Sequence, residues 1–298
     1  MDDKSVSEKT ILVSIISHRE YELENTVKEF YTKSKYPDRL RFSVVSQDDR
    51  HPALDFVPDN QIRYLRAHHK EVYGVCWARS IAARMFNDYD YYFQIDAHMF
   101  PDQDWDDAII ATHEKAKERF GNNVLLTAIP ARYILEPDKK NRTILGWGHS
   151  YADINNKKLF DWGINRPVKE QLKEIFYVQG ACMFSEGRIM DEIQIDPEIP
   201  YHAEEISYSI RCFAAGYKMV AFKKPVFYHL FSDDRRDVGI FNDPWEDLKS
   251  KIVLTQGSLK DRSNQFFEAK ISGKLGVTKN DLIGFCKKAG YSIPNLDL

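Results

Sequence analysis

Two hydrophobic rhythms alternate along the chain. "TILVSIISH" (10–18) is a continuous apolar, β-rich run, the pattern of a strand covered on both faces. Residues 19–34 then carry Leu23, Val27 and Phe30 at helical spacing. "LRFSVVSQ" (40–47) and "QIRYLRA" (61–67) predict two more strands. Gly74 opens a helical stretch in which Val75, Ala78, Ala82 and Met85 share a stripe. "DYYFQIDAHM" (90–99) predicts a strand, Trp105 to Phe120 a helix capped by Asp104, and "NVLLTAIP" (123–130) a further strand.

The rhythm weakens over 131–175, which is polar and reads as irregular, with Trp147 and Trp162 in loops. It returns in "IFYVQGACMFSEGRI" (175–189), a predicted strand with Gly180 at its middle. A helix over 202–217 has acidic residues in its first turn and Gly216 at its end. "KMVAF" and "PVFYHLF" predict short strands. The tail from about 244 reads as helical, and Thr278 and Asp281 near its end have capping-box spacing.

Alternating strands and helices imply an α/β fold: a mostly parallel sheet with helices on both faces. The simplest division is one domain over 1–243, with 131–175 as an insertion, and a helical extension over 244–298. Ligands of such sheets bind beyond the carboxyl ends of the strands. Ser17, His18, Arg19, Gln47, Asp96 and His98 all fall on that rim.

Composition narrows the picture. With 43% hydrophobic and 29% charged residues among 298, the chain reads as an ordinary globular protein. A formal charge of −3 gives no global attraction to nucleic acid or anionic membrane. No apolar run approaches the roughly 18 residues of a membrane span. "MDDKSVSEKT" at the start does not have the pattern of a secretory signal, so the expected location is cytoplasmic. Cys76, Cys182, Cys212 and Cys286 form no C-x-x-C pair and are expected to be reduced.

Several chemistries are excluded by their missing motifs. There is no G-x-x-x-x-G-K-[ST], no G-x-G-x-x-G after the first strand and no G-x-S-x-G. What the chain offers instead is "IDAH". A carboxylate and an imidazole two residues apart at a strand end can converge on a divalent ion such as manganese. His229, at the end of another short strand, is the candidate third ligand. The competing reading makes Asp96 a cap and His98 a satisfied polar residue. Arg19, Arg79 and Arg84 lie where they could donate to phosphate oxygens.

Together "ILVSIISHRE", "SVVSQDD", "GVCWARSIAARMF" and "YYFQIDAHMFPDQDWDDAII" resemble the cytoplasmic-type polypeptide N-acetylglucosaminyltransferases, which include the enzymes that modify hydroxyproline on Skp1. "GACMFSEG", "HAEEISYSIRCFAAGY", "FYHLF" and "LGVTKNDLIGFCKKAGYSI" resemble that family's later blocks. Departures are Ala97 for Ser, Ala203 for Gly and Lys279 for Arg. The resemblance covers roughly 10–121 and 175–293 and leaves 131–175 unmatched.

It implies a GT-A fold, a D-x-H variant of the D-x-D metal motif, a UDP-sugar donor, Mn2+ or Mg2+, and retention of anomeric configuration. By position it implies that Asp96, His98 and His229 hold the metal. Ser17, Arg19, Gln47, Arg79 and Asp96 would contact the nucleotide diphosphate. Gly180 and Ala181 would admit the sugar, and Glu204 and Glu205 would face the sugar or the acceptor. The acceptor implied is a protein hydroxyl. The cations Lys139, Lys140, Arg142, Lys157, Lys158 and Arg166, beside Trp147, Tyr151 and Trp162, keep a second acceptor open: hydroxymethylated DNA bases, modified as some phages do. A non-catalytic sugar-nucleotide-binding module is the alternative of another class.

Overall fold

The structure, a computed structural model, describes residues 8–71, 74–146, 148–153, 164–199, 204–240 and 277–290. β1 (Ile11–His18), β2 (Leu40–Gln47) and β3 (Ile62–Ala67) pair in parallel, with α1 (Leu23–Thr32) crossing between the first two. After α2 (Val75–Ala82) the chain returns to the other side of β1 as β4 (Tyr91–Asp96). β1 therefore lies between strands reached in opposite directions. A crevice opens at such a switch point, beyond the carboxyl ends, and Asp96 stands at the end of β4.

The predicted strand over 90–99 breaks at Ala97. β5 (Met99–Pro101) leaves the main sheet and joins a second, four-stranded sheet. α3 (Trp105–Phe120) follows as expected, but Asp104 has φ +57° and makes no side-chain cap. β6 (Val124–Thr127) re-enters the main sheet.

Residues 131–175 are more ordered than their composition suggests. They supply β7 (Ala131–Leu135) and β8 (Arg142–Ile144) to the second sheet. A small ribbon follows, made of β9 (Ser150–Asp153) and β10 (Ile164–Pro167), and then β11 (Leu172–Ile175) forms an edge of the main sheet. His149 ties this segment into the core. Its Nδ1 donates to Phe222 O (3.0 Å) and its Nε2 accepts from Phe227 N (2.9 Å). Burial lowers its pKa to about 4, so the ring stays neutral. Trp147, Lys157, Lys158 and Trp162 lie outside the described residues.

β12 (Cys182–Glu186) runs antiparallel to both β4 and β6, so the sheet is mixed where a mostly parallel one was expected. Gly180 precedes β12 instead of sitting at its middle. Because β12 begins where β4 ends, Gly180 lands beside Asp96. The short α4 (Ile189–Glu192), α5 (Glu204–Ala214), β13 (Lys218–Phe222) and β14 (Phe227–Leu230) complete the order β11-β13-β6-β12-β4-β1-β2-β3. β14 itself pairs with β5 and β7 in the second sheet. α6 (Ser232–Asp237) follows. α7 (Lys279–Ala289) has the anticipated capping box between Thr278 and Asp281, and Phe285 packs against Phe213 of α5. The rest of the tail expected from 244 lies outside the described residues.

Period-two alternation divides the core. Tyr91, Phe93 and Ile95 face α1 and α3, whereas Tyr92, Gln94 and Asp96 face α2 and α5. On the first face Phe30, Phe93, Trp105 and Phe227 interlock at centroid distances of 5.1–6.3 Å. Each such buried ring contributes roughly 1.5–3 kcal/mol. Phe227 anchors β14 through this cluster and so fixes His229, two residues on and on the same side of the strand.

Candidate active site

Asp96 ends β4, His98 precedes β5, and His229 pairs in register with Met99. Leu230 N donates to His98 O (3.1 Å), which locks β14 beside the turn. His229 Nε2 stands 3.0 Å from His98 Nε2 and 3.2 Å from Asp96 Oδ2. The sequence-predicted triad is therefore assembled, across 131 residues of chain for the two imidazoles. The capping alternative for Asp96 is not realised, since its carboxylate faces His229 and Arg79.

The donor set fits a divalent cation. Ligand bonds of ~2.1 Å place neighbouring donors about 3 Å apart, close to the distances seen here. Burial disfavours the Asp96 charge, but His229, His98 and Arg79 overcome it and hold the carboxyl below its usual range. Burial and the neighbouring His98 lower His229 to about 4. An ionised carboxylate and a neutral imidazole are the states that metal binding needs.

Arg79 comes from α2, where Gly74 (φ +110°) turns the chain into the helix. It is buried and reaches Asp96 Oδ1 (3.3 Å), Gly180 O (3.2 Å) and Glu204 Oε1 (2.8 Å). Burial opposes its charge, but Glu204 and Asp96 raise its pKa above the ordinary arginine value. Gly180 N donates to Glu205 Oε1 (2.7 Å), and Gln94 Nε2 donates to Gly180 O (2.6 Å). Burial and the adjacent Glu204 push Glu205 up to about 7. A cleft opens here, lined by Arg79, Gly180, Glu204 and Glu205 with Met183 and Tyr208.

Ser17, Arg19 and Gln47 stand at the carboxyl ends of β1 and β2. Alternation turns Ser17 to the α1 face and Gln47 to the α2 face. Ser17 Oγ and Gln47 Oε1 are buried and lack a hydrogen-bond partner among the described residues. Arg19 has φ +49° and its N–H donates to Gln47 O (3.2 Å). Ala181 leads from Gly180 into β12. Arg84 is not part of the site: it is exposed and bonded to Gln194.

Sequence reasoning passed over Gln94 and Glu20. A polar residue inside an apolar strand was the available signal for Gln94, whereas Glu20 had none beyond its place after β1. It also passed over a second cluster, Asp49 with His68 and His69, at the ends of β2 and β3. There His68 Nδ1 accepts from Lys70 N (3.1 Å), so Nε2 carries the proton and donates toward Asp49 (3.1 Å). That cluster is a hydrogen-bonded turn.

The basic character expected of 131–175 is reduced by pairing. Arg142 is engaged by Glu22 and Glu29, and Arg166 by Asp153. Among the described residues no helix is long and apolar enough to cross a membrane.

A family model described as "Glycosyltransferase (GlcNAc)" matches residues 51–281. No curated protein sequence matches the chain. A crystal structure of GalNAc-T7 with UDP, GalNAc and Mn2+ is similar in fold, with a TM-score of 0.57 at 13% identity. The match covers 95% of this chain and 55% of that one, so this chain spans about half the length of the protein it resembles. The architecture is a GT-A fold.

Proposed function

Because the chain belongs to the GlcNAc glycosyltransferase family, we propose that it moves a sugar from a UDP-sugar to a hydroxyl acceptor, using Mn2+ or Mg2+ held by Asp96, His98 and His229. The observation that carries this reading is the convergence of those three donors at the switch point, beside the buried charge of Arg79. GalNAc-T7, which shares the fold, was crystallised with UDP and Mn2+.

When bound, the cation supplies Lewis-acid charge toward the leaving diphosphate. Arg79 adds a fixed positive charge at the same rim, held in place by Glu204 and by Gly180 O, and so acts where negative charge develops. Ser17, Arg19 and Gln47 take the nucleotide, which satisfies the buried Ser17 Oγ and Gln47 Oε1. Gly180 and Ala181 let backbone approach the sugar. Glu205 fixes the Gly180 N–H, and Glu204 fixes Arg79, so both are assigned to positioning and polarising the sugar or acceptor, not to covalent attack.

Transfer with retention then breaks the bond from C1 to the diphosphate oxygen and forms the bond from C1 to the acceptor oxygen on the same face. The acceptor proton passes to the leaving phosphate. The acceptor favoured is a protein hydroxyl. The pairing of Arg142 and Arg166 with carboxylates weakens the basic surface a DNA acceptor would need. We place the catalytic unit at 1–243, with 244–298 as an extension packed on it and a cytoplasmic location.

The test is UDP release from a panel of UDP-sugars with and without Mn2+, followed by mass analysis of protein and DNA acceptors. Metal-dependent release from one donor is expected. No metal-dependent release from any donor would leave a sugar-nucleotide-binding module.

A further inference from the structure

Of the two metal-site imidazoles, one is buttressed and the other is not. His98 Nδ1 lies 3.1 Å from Glu20 Oε2. His229 Nδ1 is buried with no partner among the described residues. Glu20 is itself buried and accepts from Tyr21 N at Oε1 (3.0 Å) and from the Arg235 guanidinium at Oε2. A carboxylate so placed between donors is ionised and can only accept. An unprotonated Nδ1 would set two lone pairs against each other at 3.1 Å, so Nδ1 carries the proton. Arg235 Nη1 also approaches Nδ1, at the longer distance of 3.4 Å, while bonded to the same carboxylate oxygen.

We propose that Glu20 is a positioning residue for the metal centre: by accepting the His98 Nδ1–H it fixes the ring's tautomer and turns the Nε2 lone pair toward Asp96 and His229. Arg235, carried by α6, holds the Glu20 carboxylate in place. α6 is tethered in turn to β7 by the Arg132–Asp234 ion pair. Carboxylate–imidazole pairs of this kind orient metal ligands generally, and their loss costs 10–100-fold in affinity. The inference rests on the metal reading given above.

The test is Mn2+ affinity, read from the electron paramagnetic resonance of free Mn2+ titrated into the full chain. Glu20→Ala is expected to weaken binding at least about tenfold. Glu20→Gln should recover most of that loss, because its amide oxygen can accept the same proton, although it cannot serve as the counter-ion of Arg235. Unchanged affinity in Glu20→Ala, or no recovery in Glu20→Gln, overturns the proposal. Asp96→Ala separates the two readings. If it loses Mn2+ while Glu20→Ala does not, only the present inference fails; if the wild-type chain binds no Mn2+, both fail. The imidazole ¹⁵N shifts of His98 in the metal-free wild-type protein near pH 8 need no variant. Protonated Nδ1 supports the proposal, and a proton on Nε2 alone overturns it.

Discussion

The guanidinium of Arg79 lies against the α-carbon of Gly180. A Cβ built on Gly180 would stand 2.7 Å from Nη1 and 3.1 Å from Nη2. The side chain it would strike is buried and committed to Asp96 and Glu204, so it has little room to yield.

Gly180→Ala should therefore displace Arg79 and break its ion pairs. We expect transfer to fall at least tenfold, with ~1–3 kcal/mol lost from stability as overpacking does elsewhere. UDP release and thermal unfolding measure the two effects. Full activity with unchanged melting would show that the contact is dispensable.

Removing a metal donor should abolish transfer without unfolding the chain. Asp96→Ala, His98→Ala and His229→Ala are each expected to lose at least two orders of magnitude in Mn2+-dependent UDP release. EDTA should silence the wild-type protein, and added Mn2+ should restore it. Circular dichroism checks that the fold persists.

Glu205 gives stability a pH dependence. Burial and Glu204 raise its carboxyl from an unfolded value of 4.5 to about 7. The folded state thus binds the proton more tightly than the unfolded state. Its contribution is fully present below about pH 4.5 and is lost as pH rises through 7, amounting to ~3 kcal/mol at most. Denaturant titrations across pH 4.5–7 should show a slope in the wild-type protein that Glu205→Gln removes.

His149 works in the opposite direction. Burial lowers its pKa to about 4, against 6.5 for the unfolded chain. Its share of stability is intact above pH 6.5 and fades as pH falls toward 4. His149→Ala leaves Phe227 N without its acceptor and opens a cavity, so ~2–4 kcal/mol of destabilisation is expected at neutral pH. Urea unfolding decides it.

Much of this site is legible in the sequence. The apolar run of β4 ending in Asp96 and His98, and the short strand ending near His229, marked a rim by pattern alone. Pairing partners, and with them the switch point beside β1, were not legible. Nothing local in "GACMFSEG" says that β12 runs antiparallel to β4, yet that direction is what brings Gly180 to Asp96. The strands of 131–175 escaped notice because β7 and β8 are short and polar residues interrupt their apolar positions, so their order comes from the partner strand. Asp104 looked like a cap because residue type was all that could be judged; its backbone is left-handed and its side chain makes no cap bond.

The two-residue break at Ala97 and His98 has a kinetic consequence. Asp96 ends a strand of one sheet and His98 leads into the edge strand of another, and the second sheet cannot close until β14 returns to β5 across more than a hundred residues. Contacts so distant in sequence are slow to form, because loop closure must be completed before they repay it. The three metal donors should therefore come together late in folding, with the last strands of both sheets. A chain halted before that step would lack Phe227 in its aromatic core and any capacity for Mn2+.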